Sequence, residues 1–160
     1  MITPAQYFGK KPHNDIQATN AECLLSAVNR LLDEAHADDC YGYWIDPDTE
    51  TQISGSNGGS GDGGFREPNS KTGAKSSKHR SADAVDVYDP ERALAQWVFD
   101  HKARLVHHEL YCEDFRWTPV WCHFQRVPPG SGKRIYIPSN MPPLVPGFKG
   151  QRGVPYLIKL

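Results

Sequence analysis

Between residues 19 and 35 the chain reads TNAECLLSAVNRLLDEA, and Leu24, Leu25, Val28, Leu31 and Leu32 recur at intervals of three and four. That spacing gathers them on one side of a helix with 3.6 residues per turn, so the segment predicts an amphipathic helix with one core face. Thr19 followed by Glu22 offers a capping box at its start. A second helical pattern opens at DPERALAQWVFDHK, residues 89–102. There Asp89 can cap, Pro90 suits the first helical position, and Leu94, Trp97 and Val98 supply the buried stripe.

Four shorter runs read as strands: ADAVDVY at 82–88, RLVHHELYC at 104–112, VWCHFQRV at 120–127 and RIYIP at 134–138. In the third, alternation sets Val120, Cys122 and Phe124 on one face and Trp121, His123 and Gln125 on the other. His123 therefore faces away from the most apolar side. The expected fold is α+β, a small antiparallel sheet packed by helices and rich in loops. The run ISGSNGGSGDGGF at 53–65 is too glycine-rich to pack and reads as a flexible loop, placed to serve as an active-site flap. After residue 138 the chain is proline-rich without helical period, so 139–160 reads as an extended arm packed on a domain formed by 1–138.

Composition narrows the class. A chain of 160 residues, 38% hydrophobic and 23% charged, suits one soluble domain with one core, and 14 glycines with 13 prolines argue for much loop. No stretch approaches the roughly 18 unbroken apolar residues of a membrane span. The opening MITPAQYFGKKPHND lacks the basic start and apolar centre of a secretory signal, which implies synthesis in a cytoplasm. Cys23, Cys40, Cys112 and Cys122 show neither CxxC spacing nor the density of a disulfide scaffold and read as buried thiols. The net charge is −1, with Asp38, Asp39, Asp46, Asp48 and Glu50 crowded early and no acidic residue after Asp114. Seven basic residues spread over the last 46 read as a solvated surface rather than a nucleic-acid contact.

The chemistry concentrates in SSKHRSADAVDVYDP, residues 76–90. His79 and Asp86 flank a run of small residues in which Ala82 and Ala84 leave room for ligands to approach each other. Hydrolytic zinc sites commonly take three nitrogen or oxygen ligands and keep a fourth position for water, so a third ligand is needed. His123, on a strand, is the best candidate. His107 and His108 are adjacent and would point opposite ways in a strand, His13 and His101 lie in solvent-like contexts, and His36 follows a helix. Spacing alone leaves this set one choice among several.

SKHRSADAVD resembles the S-x-H-x-x-G-x-A-x-D signature of zinc D-Ala-D-Ala carboxypeptidases and phage endolysin peptidases. Ser77, His79, Ala84 and Asp86 match, and Ala82 stands where the signature has glycine. GFREPNSKTGAKSSKH is similar to that family's G-[YFW]-R-x-P segment, and WCHFQ to its W-x-H strand. ITPAQYFGKK, NAECLLSAVNRLL and VPPGSGKRIYIP are similar to parts of phage-encoded members, so the resemblance spans roughly residues 2–138. It implies the compact α+β fold shared with the hedgehog signalling domain, a Zn2+ cofactor and His79, Asp86 and His123 as its ligands.

The resemblance also implies metal-assisted hydrolysis of peptidoglycan stem peptides. Many relatives carry an acidic residue three positions before the last histidine, where this chain has Val120. The base then falls to Glu113, which occupies a place where phage-encoded relatives carry a glutamate; Asp114 is the runner-up and Glu109 third. Arg66 resembles the family arginine that binds a substrate carboxylate or carbonyl oxygen, and Ser77 would orient His79 or its loop. Without a signal sequence, such a protein acts at the cell wall after release by a holin-like partner, or as part of a phage virion. Two other classes remain: a non-catalytic zinc-binding module, which needs the ligands and no base, and a phage structural component, which needs neither.

Overall fold

A computed structural model describes residues 1–39, 42–55, 62–118 and 120–137. The long amphipathic pattern forms helix α2 (Asp15–Ala37), preceded by a short helix α1 (Pro4–Phe8) that the hydrophobic pattern does not announce. Leu24, Leu25, Val28, Leu31 and Leu32 are all buried, each contributing on the order of 1.5–3 kcal/mol. The helix starts upstream of Thr19, because Asn14 and Gln17 form the capping box instead. Asn14 Oδ1 accepts from the Gln17 N–H at 2.9 Å and Gln17 Oε1 accepts from the Asn14 N–H at 3.0 Å. Thr19 lies inside the helix, its hydroxyl donating to the Asp15 carbonyl at 3.0 Å.

The second helical pattern breaks in two, α3 (Ala93–Asp100) and α4 (Lys102–His107). Asp89 does cap α3, its carboxylate accepting from the Leu94 and Ala95 N–H groups at 3.2 and 2.8 Å, but Pro90 lies outside the helix. The expected strand at 104–112 is therefore helical in its first half. Only Leu105, His108, Leu110 and Cys112 are buried there. Leu105 and His108 are one helical turn apart whereas His108, Leu110 and Cys112 alternate, so the run changes from a helical to a strand period in its middle. Glu109 ends the segment in the left-handed region, φ 57°, before the chain extends.

The sheet has four strands, β1 (Ala84–Tyr88), β2 (Tyr111–Glu113), β3 (Trp121–Gln125) and β4 (Ile135–Tyr136), in the order β1-β3-β2-β4. β3 pairs antiparallel with both β1 and β2, whereas β2 and β4 are parallel. The sheet is mixed rather than wholly antiparallel, because the chain reverses once between β2 and β3 and again before β4. Val85, Val87, Cys112, Cys122 and Phe124 join the leucines of α2 in one core, which leaves the opposite face of the sheet for other chemistry.

The flanks of the glycine segment pack, contrary to expectation. Ile53 bridges Val87, the Ser54 N–H donates to the Asp86 carbonyl at 2.8 Å, and the Asp86 N–H donates to the Gly63 carbonyl at 2.7 Å. A Cβ on Gly63 would lie 2.1 Å from the Ser54 carbonyl oxygen, and one on Gly64 would lie 2.6 Å from that of Tyr7. Glycine is required there by close backbone approach. Cys112 and Cys122 are buried as expected, but Cys23 is exposed. The expected arm at 139–160, Pro138, Cys40 and the middle of the glycine segment at 56–61 lie outside the described residues. No helix among the described residues is long and apolar enough to cross a membrane.

Candidate metal centre

His79 is carried by a 3-10 turn, Lys78–Ser81, whose carbonyls are held by α2. Gln17 Nε2 donates to the Arg80 carbonyl at 3.0 Å and Asn20 Nδ2 to that of Ser81 at 2.9 Å. The turn closes at Ala82, which adopts a left-handed conformation with φ 62° and ψ 29° and is fully buried. A non-glycine residue there costs roughly 1–2 kcal/mol, which gives a physical reason for glycine at this place in the resembling signature.

Asp86 and His123 are direct partners across the β1–β3 pair. Side chains opposite each other in an antiparallel pair share a face, so both project from the side of the sheet away from the core. Continuing the β2–β3 register by one residue from Cys112↔Phe124 sets Glu113 beside His123, and Glu113 is in turn the parallel partner of Tyr136 on β4. The result is a row of polar side chains, Asp86, His123, Glu113 and Tyr136, running across all four strands.

One ligand atom from each of His79, Asp86 and His123 lies within 4.8 Å of the others, and all three residues are buried. His79 Nε2 stands 3.3 Å from His123 Nδ1 and 3.4 Å from Asp86 Oδ1, while His123 Nδ1 and Asp86 Oδ1 are 2.7 Å apart. A tetrahedral site with metal–nitrogen bonds of about 2.0–2.1 Å has ligand–ligand edges of about 3.4 Å, so two of the three edges already match. The third is a hydrogen-bond length. The groups can therefore hold a metal ion in geometry and donor type.

The outer contacts orient each ligand. His79 Nδ1 donates to the Gly64 carbonyl at 2.8 Å, which leaves Nε2 with its lone pair towards the cluster. Ser77 makes no side-chain cap on this turn, so Gly64 does the orienting expected of it. Asp86 Oδ2 accepts from Arg66 Nη2 at 3.2 Å, and Arg66 Nε donates to the Asp62 carbonyl at 2.6 Å. Arg66 is thus nearly buried and touches a candidate ligand directly. His123 Nε2 faces Gln125 Oε1 at 3.4 Å, and the same oxygen accepts from the Tyr136 hydroxyl at 2.7 Å.

The electrostatics follow from this arrangement. Burial opposes charge on His123, but Glu113 and Asp86 outweigh it and raise its pKa from 6.5 to about 9. Burial lowers the pKa of His79, with Asp86 acting in the opposite sense. Burial alone would raise that of Asp86, yet the two imidazoles hold it well below the usual carboxylate range. Burial and then the Glu113 charge push the Tyr136 phenol far above its ordinary value.

The other candidates for the base are placed differently. Asp114 is buried, its Oδ1 accepting from Arg116 Nε at 2.8 Å and its Oδ2 paired with Arg116 Nη2. Glu109 is exposed in the turn after α4 and shares no strand face with Glu113. Val120 is exposed and precedes β3. Gly64, Gln125 and Tyr136 also serve the site and are not among the residues expected there from the sequence. Alternation does put Gln125 on the His123 face, but nothing local brings Gly64 or Tyr136 to the same place. No protein-family model matches the chain, no curated protein matches it and no solved structure matches it.

Proposed function

We propose that this chain is a zinc-dependent peptidase that cleaves peptidoglycan stem peptides, as a phage endolysin or a virion-associated murein hydrolase does. The observation that carries the reading is the row Asp86, His123, Glu113 across adjacent strands, with His79 brought onto the same cluster from the loop. Two imidazoles, one carboxylate and a separate carboxylate beside them are the set that metal-assisted amide hydrolysis uses.

Zinc held by His79, Asp86 and His123 would supply Lewis acidity towards the scissile carbonyl and acidify the attacking water to a pKa of about 7. The remaining work belongs to the chain. Glu113 accepts the proton of the attacking water and passes it to the leaving amine, a task suited to a carboxylate at the end of a strand and next to the cluster. Tyr136 donates to Gln125 Oε1, the oxygen that faces His123 Nε2, and so steadies that ligand from the far strand. Gly64 fixes the His79 tautomer, and Arg66 occupies the outer oxygen of Asp86 so that the inner one faces the cluster. Beside the His79 turn lies an open hollow of about 720 Å³ whose lining includes Lys75, Lys78 and Arg80, and these cations suit the carboxylates of a stem peptide.

The test is a digest of purified peptidoglycan analysed by mass spectrometry, with elemental analysis of the protein alongside. Bound zinc together with new peptide termini supports the reading. Bound zinc with every muropeptide intact makes the chain a non-catalytic zinc module. A protein that takes up no zinc and cleaves nothing is better read as a phage structural component.

A further inference from the structure

A second cluster with metal-ligand geometry lies away from the sheet, where the C-terminal end of α2 meets the end of α4. Glu34 comes from α2, His107 is the last residue of α4, and His108 is its C-cap. One ligand atom from each lies within 4.8 Å of the others. The adjacent histidines do not diverge, as they would in a strand, because the helix stops between them. Their ring centroids are 4.9 Å apart at an interplanar angle of 78°.

The cluster has an unmet polar demand. His108 is 6% exposed, and its Nε2 stands 3.0 Å from Glu34 Oε1, yet that nitrogen has no aligned hydrogen-bond partner. A buried imidazole nitrogen left in this state costs free energy that a metal ion would recover. His108 is among the residues lining a hollow of about 520 Å³, together with Arg30, Asp33, Glu34 and His107, roomy enough for an ion and its waters. Arg104 Nη1 lies 3.3 Å from Glu34 Oε2, which leaves Oε1 directed at His108. Arg104 and Arg30 oppose a cation here, and Asp33 beside Glu34 offsets part of that charge. His107 is exposed and can turn between rotamers to close the set.

We infer that Glu34, His107 and His108 form a second divalent-metal site, separate from the first, which takes a borderline ion such as zinc through two imidazoles, one carboxylate and water. Its chemistry is structural. It ties α2 to α4 immediately before the chain enters β2, the strand that ends on Glu113.

Chelator-stripped full-length protein, titrated with zinc and with cobalt(II) as a spectroscopic probe, tests this. The wild type should take up about two equivalents per chain and His107→Ala about one, since the exposed imidazole can be removed without opening the core. Glu34→Gln should lose the same equivalent, and peptide hydrolysis should be unchanged in both variants. Equal uptake by wild type and His107→Ala overturns the inference, because a plain Glu34–His108 ion pair then accounts for the cluster. His123→Ala separates this result from the reading of the first site. A count that falls in His107→Ala but not in His123→Ala leaves the second site standing and removes the first.

Discussion

Asp86 and His123 are paired residues of antiparallel strands, and their side chains meet at 2.7 Å on the face of the sheet opposite the core. Because the register sets this contact, the two ligands are aligned by backbone hydrogen bonds on adjacent strands rather than by loop packing. Only His79 depends on a loop, and α2 secures that loop through Gln17 and Asn20.

Glu113→Gln preserves size and hydrogen bonding but removes the proton acceptor. Peptide hydrolysis should fall by about 100-fold to 10,000-fold, the usual contribution of positioned acid–base catalysis, with zinc content and melting temperature nearly unchanged. Asp114→Asn is the matched control; it disturbs the Arg116 pair and should leave hydrolysis far less affected. Should Asp114→Asn abolish turnover while Glu113→Gln remains active, the roles are exchanged.

Zinc uptake should depend on pH through His123. Its folded pKa is raised from 6.5 to about 9, so in the metal-free protein this group stabilises the fold fully below pH 6.5 and loses that contribution as pH rises through about 9. Zinc requires the neutral imidazole and must displace the proton. Apparent affinity should therefore rise about tenfold per pH unit across that window, with proton release on binding. Calorimetric titrations in buffers of different ionisation enthalpy measure both. Affinity that stays flat between pH 6.5 and 9 rules His123 out as the titrating ligand.

Gly63→Ala places a methyl 2.1 Å from the Ser54 carbonyl oxygen and 3.1 Å from Asp86 Cβ. Neither neighbour is the end of a flexible side chain, so the backbone must move, at a cost of about 1–3 kcal/mol or more. The Asp86 N–H bond to Gly63 is strained in the process, and zinc should be lost along with thermal stability. A variant that melts and binds zinc like the wild type would show that the 62–65 segment does not support Asp86.

Arg66→Ala leaves the outer oxygen of Asp86 without its guanidinium partner. Zinc affinity should drop by about 10–100-fold, the typical effect of removing a group that orients a ligand. If instead affinity is unchanged and only KM on muropeptides rises, Arg66 serves the substrate, as the family resemblance implies.

Parts of this protein are legible in order along the chain. The leucines of α2 and the alternation through Trp121–Gln125 are local patterns, and local backbone geometry turns them into a core face and a ligand face. The seven-residue interval from His79 to Asp86 makes a ligand pair only once the loop is held against α2. Tertiary structure decided the rest. It chose helix over strand for Lys102–His107, where Leu105 is the single buried residue and sets no period. It made β4 parallel to β2, which brought Tyr136 to Glu113, and it pressed Gly63 and Gly64 against carbonyls of residues far away in the chain. It also brought Glu34 to two histidines more than seventy residues later. Such contacts depend on which strands and helices become neighbours, and residue spacing within a segment carries no information about that.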